Sequence, residues 1–223
     1  MTVSERTTWR PLVGLRFVDA ATGLPVREDL RVTAQVRRVE HELVRSRDGA
    51  AWGLHLDPLP PAAPVVVRVT DAARRFLPAI AEVGAGMTTH VLASAPARAV
   101  PPGYAEVRAT VVQEGPAREP LPGFRLTVTV DGTPATGYAD DRGDVLVCLP
   151  WPKSAPGVAL RERTWKATVA VAGPDVPPAR GDAFALDLDA TYTAREVALG
   201  EQTLSYGAPL VLKTQGADAL FVR

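Results

Sequence analysis

Cysteine is almost absent. Cys148 is the only one in 223 residues, which excludes an internal disulfide and any metal site built on several thiolates. A secreted sandwich can do without a disulfide, so this leans only mildly toward a reducing compartment. Lysine is scarce too: three of the 25 basic residues, the rest being arginine, against 25 acids. With no excess of either sign, nothing holds nucleic acid or an anionic membrane by charge. Long apolar runs are missing, and with them any membrane-spanning helix. The opening "MTVSERTTWRPLVGLRFV" has no apolar stretch of signal-peptide length, so the chain is expected to be cytoplasmic when made. Histidine occurs three times, as His41, His55 and His90. None has the His-x-His or His-Glu-x-x-His spacing that brings two imidazoles to one metal.

Alternation with period two is what the chain does have. Val13, Leu15 and Phe17 share a face, as do Val65, Val67 and Val69. The stretch "FRLTVTVDG" sets Phe124, Leu126, Val128 and Val130 against Arg125, Thr127 and Thr129. The pattern recurs with Trp165, Ala167, Val169 and Val171, and in "AFALDLDA" with Phe184, Leu186 and Leu188. Strands with one buried and one wet face read this way. Helical evidence is thin: "DAARRFLPAIAEV" has some helical composition, but Pro78 interrupts it. The 21 prolines and 18 glycines fall mostly between strand candidates, as turn punctuation should.

The stretch "ASAPARAVPPG" has no periodicity and ends in Pro101-Pro102-Gly103, a short semi-rigid connection because proline fixes φ. The pieces on its two sides agree in order and spacing, as diverged copies would. The expected architecture is all-β: two immunoglobulin-like, transthyretin-like antiparallel sandwiches over 1–95 and 104–223, with a Pro-rich linker over 96–103. Additional strands are expected at the C-terminal end.

A family likeness rests on particular residues. "VDAATGLPV", then a strand, an Asp-Gly turn and a strand ending "LDPLPP", resembles the carboxypeptidase regulatory-like (transthyretin-like, prealbumin-like) sandwich modules. The matching positions are Asp19, Thr22, Gly23, Pro25, Asp48, Gly49, Leu59 and Pro60, then Asp140, Gly143, Leu149 and Pro150. The likeness covers residues 10 to 80 and 104 to 172 and implies a sandwich of structural motifs. Enzymes with related folds are not supported. Hydroxyisourate hydrolases end in Tyr-Arg-Gly-Ser, whereas this chain ends "ADALFVR". Intradiol dioxygenases hold iron with two Tyr and two His at close spacing, which is missing here. No Gly-x-Ser-x-Gly elbow occurs either.

Some candidates for chemistry have blander readings. Asp140, Asp141 and Asp144 lie around Gly143, but the loop is too short for an EF-hand and lacks a closing Glu. A solvated hairpin tip is the favoured reading. Arg-Gly-Asp occurs at 142–144 and 180–182; as an adhesion motif it needs an exposed loop. Cys148 alternates out of phase with Val147 and Leu149, a packing position. Trp52 is expected in the core. Trp9, Tyr104 and Trp151 are the candidate binding surface, because aromatic rings at strand ends can stack on a sugar or a partner, although core packing competes. The functional expectation is a non-catalytic structural or adaptor protein without cofactor or metal. It would bind other protein subunits, in a setting such as a phage-tail-like or contractile injection particle. The alternative is a carbohydrate- or surface-binding module.

Overall fold

The computed structural model describes residues 13–55, 65–153, 159–197 and 199–223. Trp9, Leu59 and Pro60 lie outside the described residues. In chain order the strands begin with β1 (Val13–Asp19), β2 (Arg31–Val36), β3 (Val39–Glu42), β4 (Val44–Arg45) and β5 (Trp52–Leu54). Next come β6 (Val65–Thr70), β7 (Ala79–Val83), β8 (Gly86–Leu92), β9 (Tyr104–Gln113) and β10 (Arg125–Val130). They continue with β11 (Thr133–Tyr138), β12 (Asp144–Pro150), β13 (Thr164–Pro174) and β14 (Leu186–Asp187). The last are β15 (Tyr192–Arg195), β16 (Gln202–Ser205), β17 (Leu210–Leu212) and β18 (Leu220–Val222).

These strands form four sheets. Two enclose a core drawn from Val13 to Leu92, and two enclose a core drawn from Ala105 to Val222. In the first pair, β4-β5-β1-β8 faces β14-β7-β6-β2-β3. In the second, β12-β9-β17 faces β11-β10-β13-β15, with β18 also on β9 and β16 also on β13. The two halves share one plan. A first strand (β1, β9) lies antiparallel to one neighbour (β5, β12) and parallel to a late strand (β8, β17). The expectation of antiparallel sheets is therefore corrected at β1–β8, β7–β14, β9–β17 and β9–β18, which are parallel. On β1 and β9 the cause is that each sandwich closes by laying late strands beside its first; at β7 it is the addition of β14, which follows β13, to the first half's sheet. The bridges Val18–Pro25 and Val112–Pro120 also correspond.

Alternation explains the cores. Val13, Leu15 and Phe17 on β1 are at most 1% exposed, and Phe17 packs on Trp52 with ring centroids 5.1 Å apart. Leu126, Val128 and Val130 on β10 are buried in the same way. Fully burying such side chains is worth about 1.5–3 kcal/mol each, which is what selects the register.

The β10–β11 hairpin turns at Asp131 and Gly132, with φ of 49° and 73° between the paired Val130 and Thr133. Both central residues need positive φ in such a two-residue turn, hence the Asp-Gly dipeptide. The β2–β3 hairpin has the same geometry, but Arg37 and Arg38 occupy it, at φ 50° and 70°. An L side chain in that region costs about 1–2 kcal/mol. Glycine recovers part of it, because its own backbone entropy cost is about 0.5–1 kcal/mol. The R37N/R38G double substitution is expected to stabilise the protein by about 1 kcal/mol. A higher urea midpoint with unchanged slope would show it; an unchanged midpoint would mean that the arginine pair is unstrained.

Candidate functional site

The acid cluster forms a turn, but its topology differs from the hairpin expected. It joins β11 in one sheet to β12 in the facing sheet, so it is a corner between layers. Asp140 Oδ1 accepts the N–H groups of Arg142 and Asp144, both at 2.9 Å. Asp144 Oδ1 accepts the Thr110 hydroxyl at 2.7 Å, and Gly143 is buried with φ +83°. Its carbonyl accepts the Val111 N–H at 2.8 Å. Burial, above all, pushes the Asp140 carboxyl up, against the two N–H bonds; the neighbouring charges of Asp144 and Asp141 push the same way. Within the Arg142-Gly143-Asp144 tripeptide, Asp144 is tied inward through Oδ1 and Gly143 is buried, so only Arg142 is fully exposed. The corresponding turn in the first half uses Asp48 Oδ1, which accepts the Ser46 hydroxyl at 2.6 Å and the Ala50 N–H at 3.2 Å. That turn does close a hairpin, between β4 and β5.

Trp151 and Tyr104 do not make one strip. Trp151 packs against the second core and meets Trp165 and Tyr206 in tilted ring contacts, with centroids 5.8 and 4.8 Å apart. Tyr104 begins β9 on the outward parity, in phase with Glu106 and Arg108, while Ala105 and Val107 face the core. Sequence reasoning missed Trp165 and Tyr206 as companions of Trp151, because sheet pairing alone brings them together.

The seam between the halves is the most elaborate site. After β13 the chain leaves the second sandwich, and β14 adds to the edge of β7 in the first half's sheet. Leu186 N–H donates to the Pro78 carbonyl at 2.7 Å and Leu188 N–H to that of Ile80 at 2.9 Å. Phe184 and Leu186 form a third apolar cluster with Leu77, Ala93 and Ala95. Thus "AFALDLDA" has the apolar period expected of it, but its apolar face is buried against the other half. Above this cluster Arg98 grips Asp19 through both guanidinium nitrogens at 2.6 Å, and donates also to Ser94 Oγ at 2.9 Å. These two side chains are 11% and 8% exposed. Burial raises the Asp19 carboxyl, but the bonds from Arg98, the Ala21 N–H and the Thr22 hydroxyl outweigh it and hold it below its usual range. Cys148 is buried, and that burial pushes its thiol up, opposed by Arg98 and a bond from Ser94.

Beside the seam opens a cleft of about 730 Å³. Its walls are β8, the segment 186–190, and Arg125, Tyr138 and Tyr192 from the second half. The Arg125 guanidinium lies 4.7 Å over the Tyr192 ring, which packs 5.8 Å from Tyr138. Burial, first of all, and then Tyr138 push the Tyr192 hydroxyl up to about 12. Thr88 Oγ1 and His90 Nε2 are buried without a hydrogen-bond partner among the described residues, and both residues line this cleft. Buried polar atoms are normally paired, so this wall is where a partner group is wanting. No local spacing marks it: Glu82 and Asp189, hydrogen-bonded neighbours in one wall, are 107 residues apart. Elsewhere, His41, on β3, is half-buried and His55 exposed. Among the described residues no group of three or more His, Cys, Asp or Glu side chains could hold a metal. No helix among them is long and apolar enough to cross a membrane.

No family model matches the chain, and no curated protein matches it. Among solved structures it is similar to the Bacillus anthracis TIE protein, at 14% identity over 92% of this chain and 34% of that one, with a TM-score of 0.26. A streptococcal ancillary pilin is similar at 12% identity over 95% of this chain and 62% of the pilin, with a TM-score of 0.25. A Ca2+-stabilised adhesin that helps an Antarctic bacterium reach out and bind ice is similar at 12% identity over 88% of this chain and 46% of the adhesin, with a TM-score of 0.20. The chain thus spans less than two thirds of each, and superpositions this loose leave its function to be read from its own residues.

Proposed function

We propose that this chain is a non-catalytic structural or adaptor protein: two carboxypeptidase regulatory-like, transthyretin-like sandwiches divided near residues 96–103. It binds other protein subunits through its sandwich surfaces and holds them at a set spacing. It is made in the cytoplasm and serves in a particle of the phage-tail-like or contractile injection kind. The observation that carries the reading is the seam. Sandwiches joined by a linker normally move against one another unless a large apolar interface stops them. Here strand addition and the Phe184 cluster cross the junction, and a buried ion pair ties the connection to the end of β1, which suits a part that transmits position. The corresponding Val18–Pro25 and Val112–Pro120 bridges support the family reading.

The test combines scattering with recovery of partners. Small-angle scattering should give one fixed separation of the halves. F184D is expected to broaden it, because charge is placed in an apolar cluster. A tag at the native locus should recover partner subunits in fixed stoichiometry from the parent, and fewer from F184D. Two results would sink the reading: turnover of a substrate that a single substitution abolishes, or glycan-array binding lost on W151A with no protein partner recovered.

A further inference from the structure

The cleft beside the seam combines three properties. First, β8 is the last strand of its sheet: β1 pairs with one edge, and no described strand pairs with the other. A bare edge presents a row of backbone N–H and C=O groups, which natural sheets cover or blunt. This one carries no charged residue, and its outward Met87 and Val91 are 52% and 55% exposed. Second, the inward parity of β8 supplies the orphaned Thr88 Oγ1 and His90 Nε2. Third, Glu82, Asp187 and Asp189 line the opposite wall against a single cation, Arg125. None of the three acids has an ion-pair partner among the described residues. Two of their carboxylates accept backbone N–H bonds within the arm and sheet, at 3.0 and 3.1 Å, so the acids are held in place.

We propose that the cleft is a strand-addition site: an extended segment of a protein partner pairs with the free edge of β8 and points a lysine inward. This rests on the adaptor reading above and names its docking point. Strand addition takes affinity from main-chain bonds and specificity from the pockets that receive alternate side chains. An ammonium offers three donors and no acceptor. The cleft offers Thr88 Oγ1, His90 Nε2 and carboxylates as acceptors, and its charge favours a cation. Tyr138 and Tyr192 flank the stem. An acidic segment would meet the three carboxylates and be rejected, as like charges across an interface are.

The experiment places a benzoylphenylalanine cross-linker at Val91 in the full chain in its native host, with separate cross-linkers at Val44 and Val211 as remote exposed controls. The partner residues captured are mapped by mass spectrometry and the captured segment is made as a peptide. The expected result is capture at 91 of an extended segment with a lysine within two residues of the cross-link. The peptide should protect the amides of residues 87–91 from hydrogen exchange. Its lysine-to-glutamate version, or the D187N/D189N protein, should bind about tenfold more weakly. Those asparagines keep the oxygens that accept the arm's backbone bonds. Capture only at 44 or 211 overturns the cleft while leaving the adaptor reading standing. No protein captured at any position overturns both. A segment without a basic residue, a second copy of this chain, or a peptide that leaves residues 87–91 unprotected each overturns the proposal.

Discussion

G143A is expected to lower stability by about 3 kcal/mol or more, because two separate costs fall on one methyl group. Gly143 has φ +83°, where an L side chain costs about 1–2 kcal/mol. An added Cβ would also lie closer than 3.0 Å to the Val111 carbonyl oxygen. That atom belongs to β9, whose inner face is core, so it cannot withdraw without disturbing the sandwich. Gly49 provides the contrast. Its φ is +68°, yet its Cβ would meet only the Arg45 guanidinium, with the nearest nitrogen at 3.1 Å. Arg45 is held by Asp29 and the carbonyls of Arg27 and Gly49, but a side chain can give by a few tenths of an ångström where strand backbone cannot, so G49A should cost less than G143A, about 1–2 kcal/mol. Urea unfolding of the two variants at one pH checks this. Equal losses would mean that the corner relaxes and that the close approach to β9 has no energetic consequence.

D19N should cost about 3 kcal/mol at neutral pH, because it leaves the buried Arg98 charge without a counter-charge. R98M should cost a similar amount by stranding the carboxylate. The double variant D19N/R98M should lose less than the sum, since neither charge is then left alone. The pH dependence has a definite sign. The Asp19 carboxyl is held below its ordinary value in the fold. Its contribution is therefore complete above the unfolded carboxyl value near ~3.9 and is lost as pH falls through the lower folded value. The gap between parent and D19N should close on acidification. A gap that stays constant from pH 7 to pH 2 would show that Asp19 acts through shape rather than charge. Scattering on D19N should also show looser halves, because the pair joins the end of β1 to the connection.

Legibility followed burial. Strands whose inner face meets a core, such as Val65-Val67-Val69 and Leu126-Val128-Val130, declare themselves by alternation. β7 did not, because Pro78 precedes it and its inward residues are Ala79, Ala81 and Val83, too small for a strong pattern beside Arg-rich neighbours. β8 escaped for a different reason: of its inward residues only Leu92 is apolar and reaches the core, while Thr88 and His90 line the cleft. β11 carries Pro134 and Gly137, residues that normally argue against a strand; proline is tolerated there because β11 is an edge. The Arg37-Arg38 tip carries no turn residue at all. For "AFALDLDA" the period shows which face is buried, but period says nothing about which sheet will bury it. The cleft was illegible for that reason, since its walls come from strands far apart in the chain.

The placement of β14 has a consequence for synthesis. The first half can collapse as soon as it leaves the ribosome, yet the residues that cover Ala79–Val83 follow about a hundred positions later, as the 107-residue separation of Glu82 and Asp189 shows. At ~5–20 residues per second the nascent chain waits ~5–20 s for them. Through that interval the uncovered backbone is open to the matching segment of a neighbouring nascent chain. Two polypeptides growing on one messenger can then trade these segments and finish as an interlinked pair.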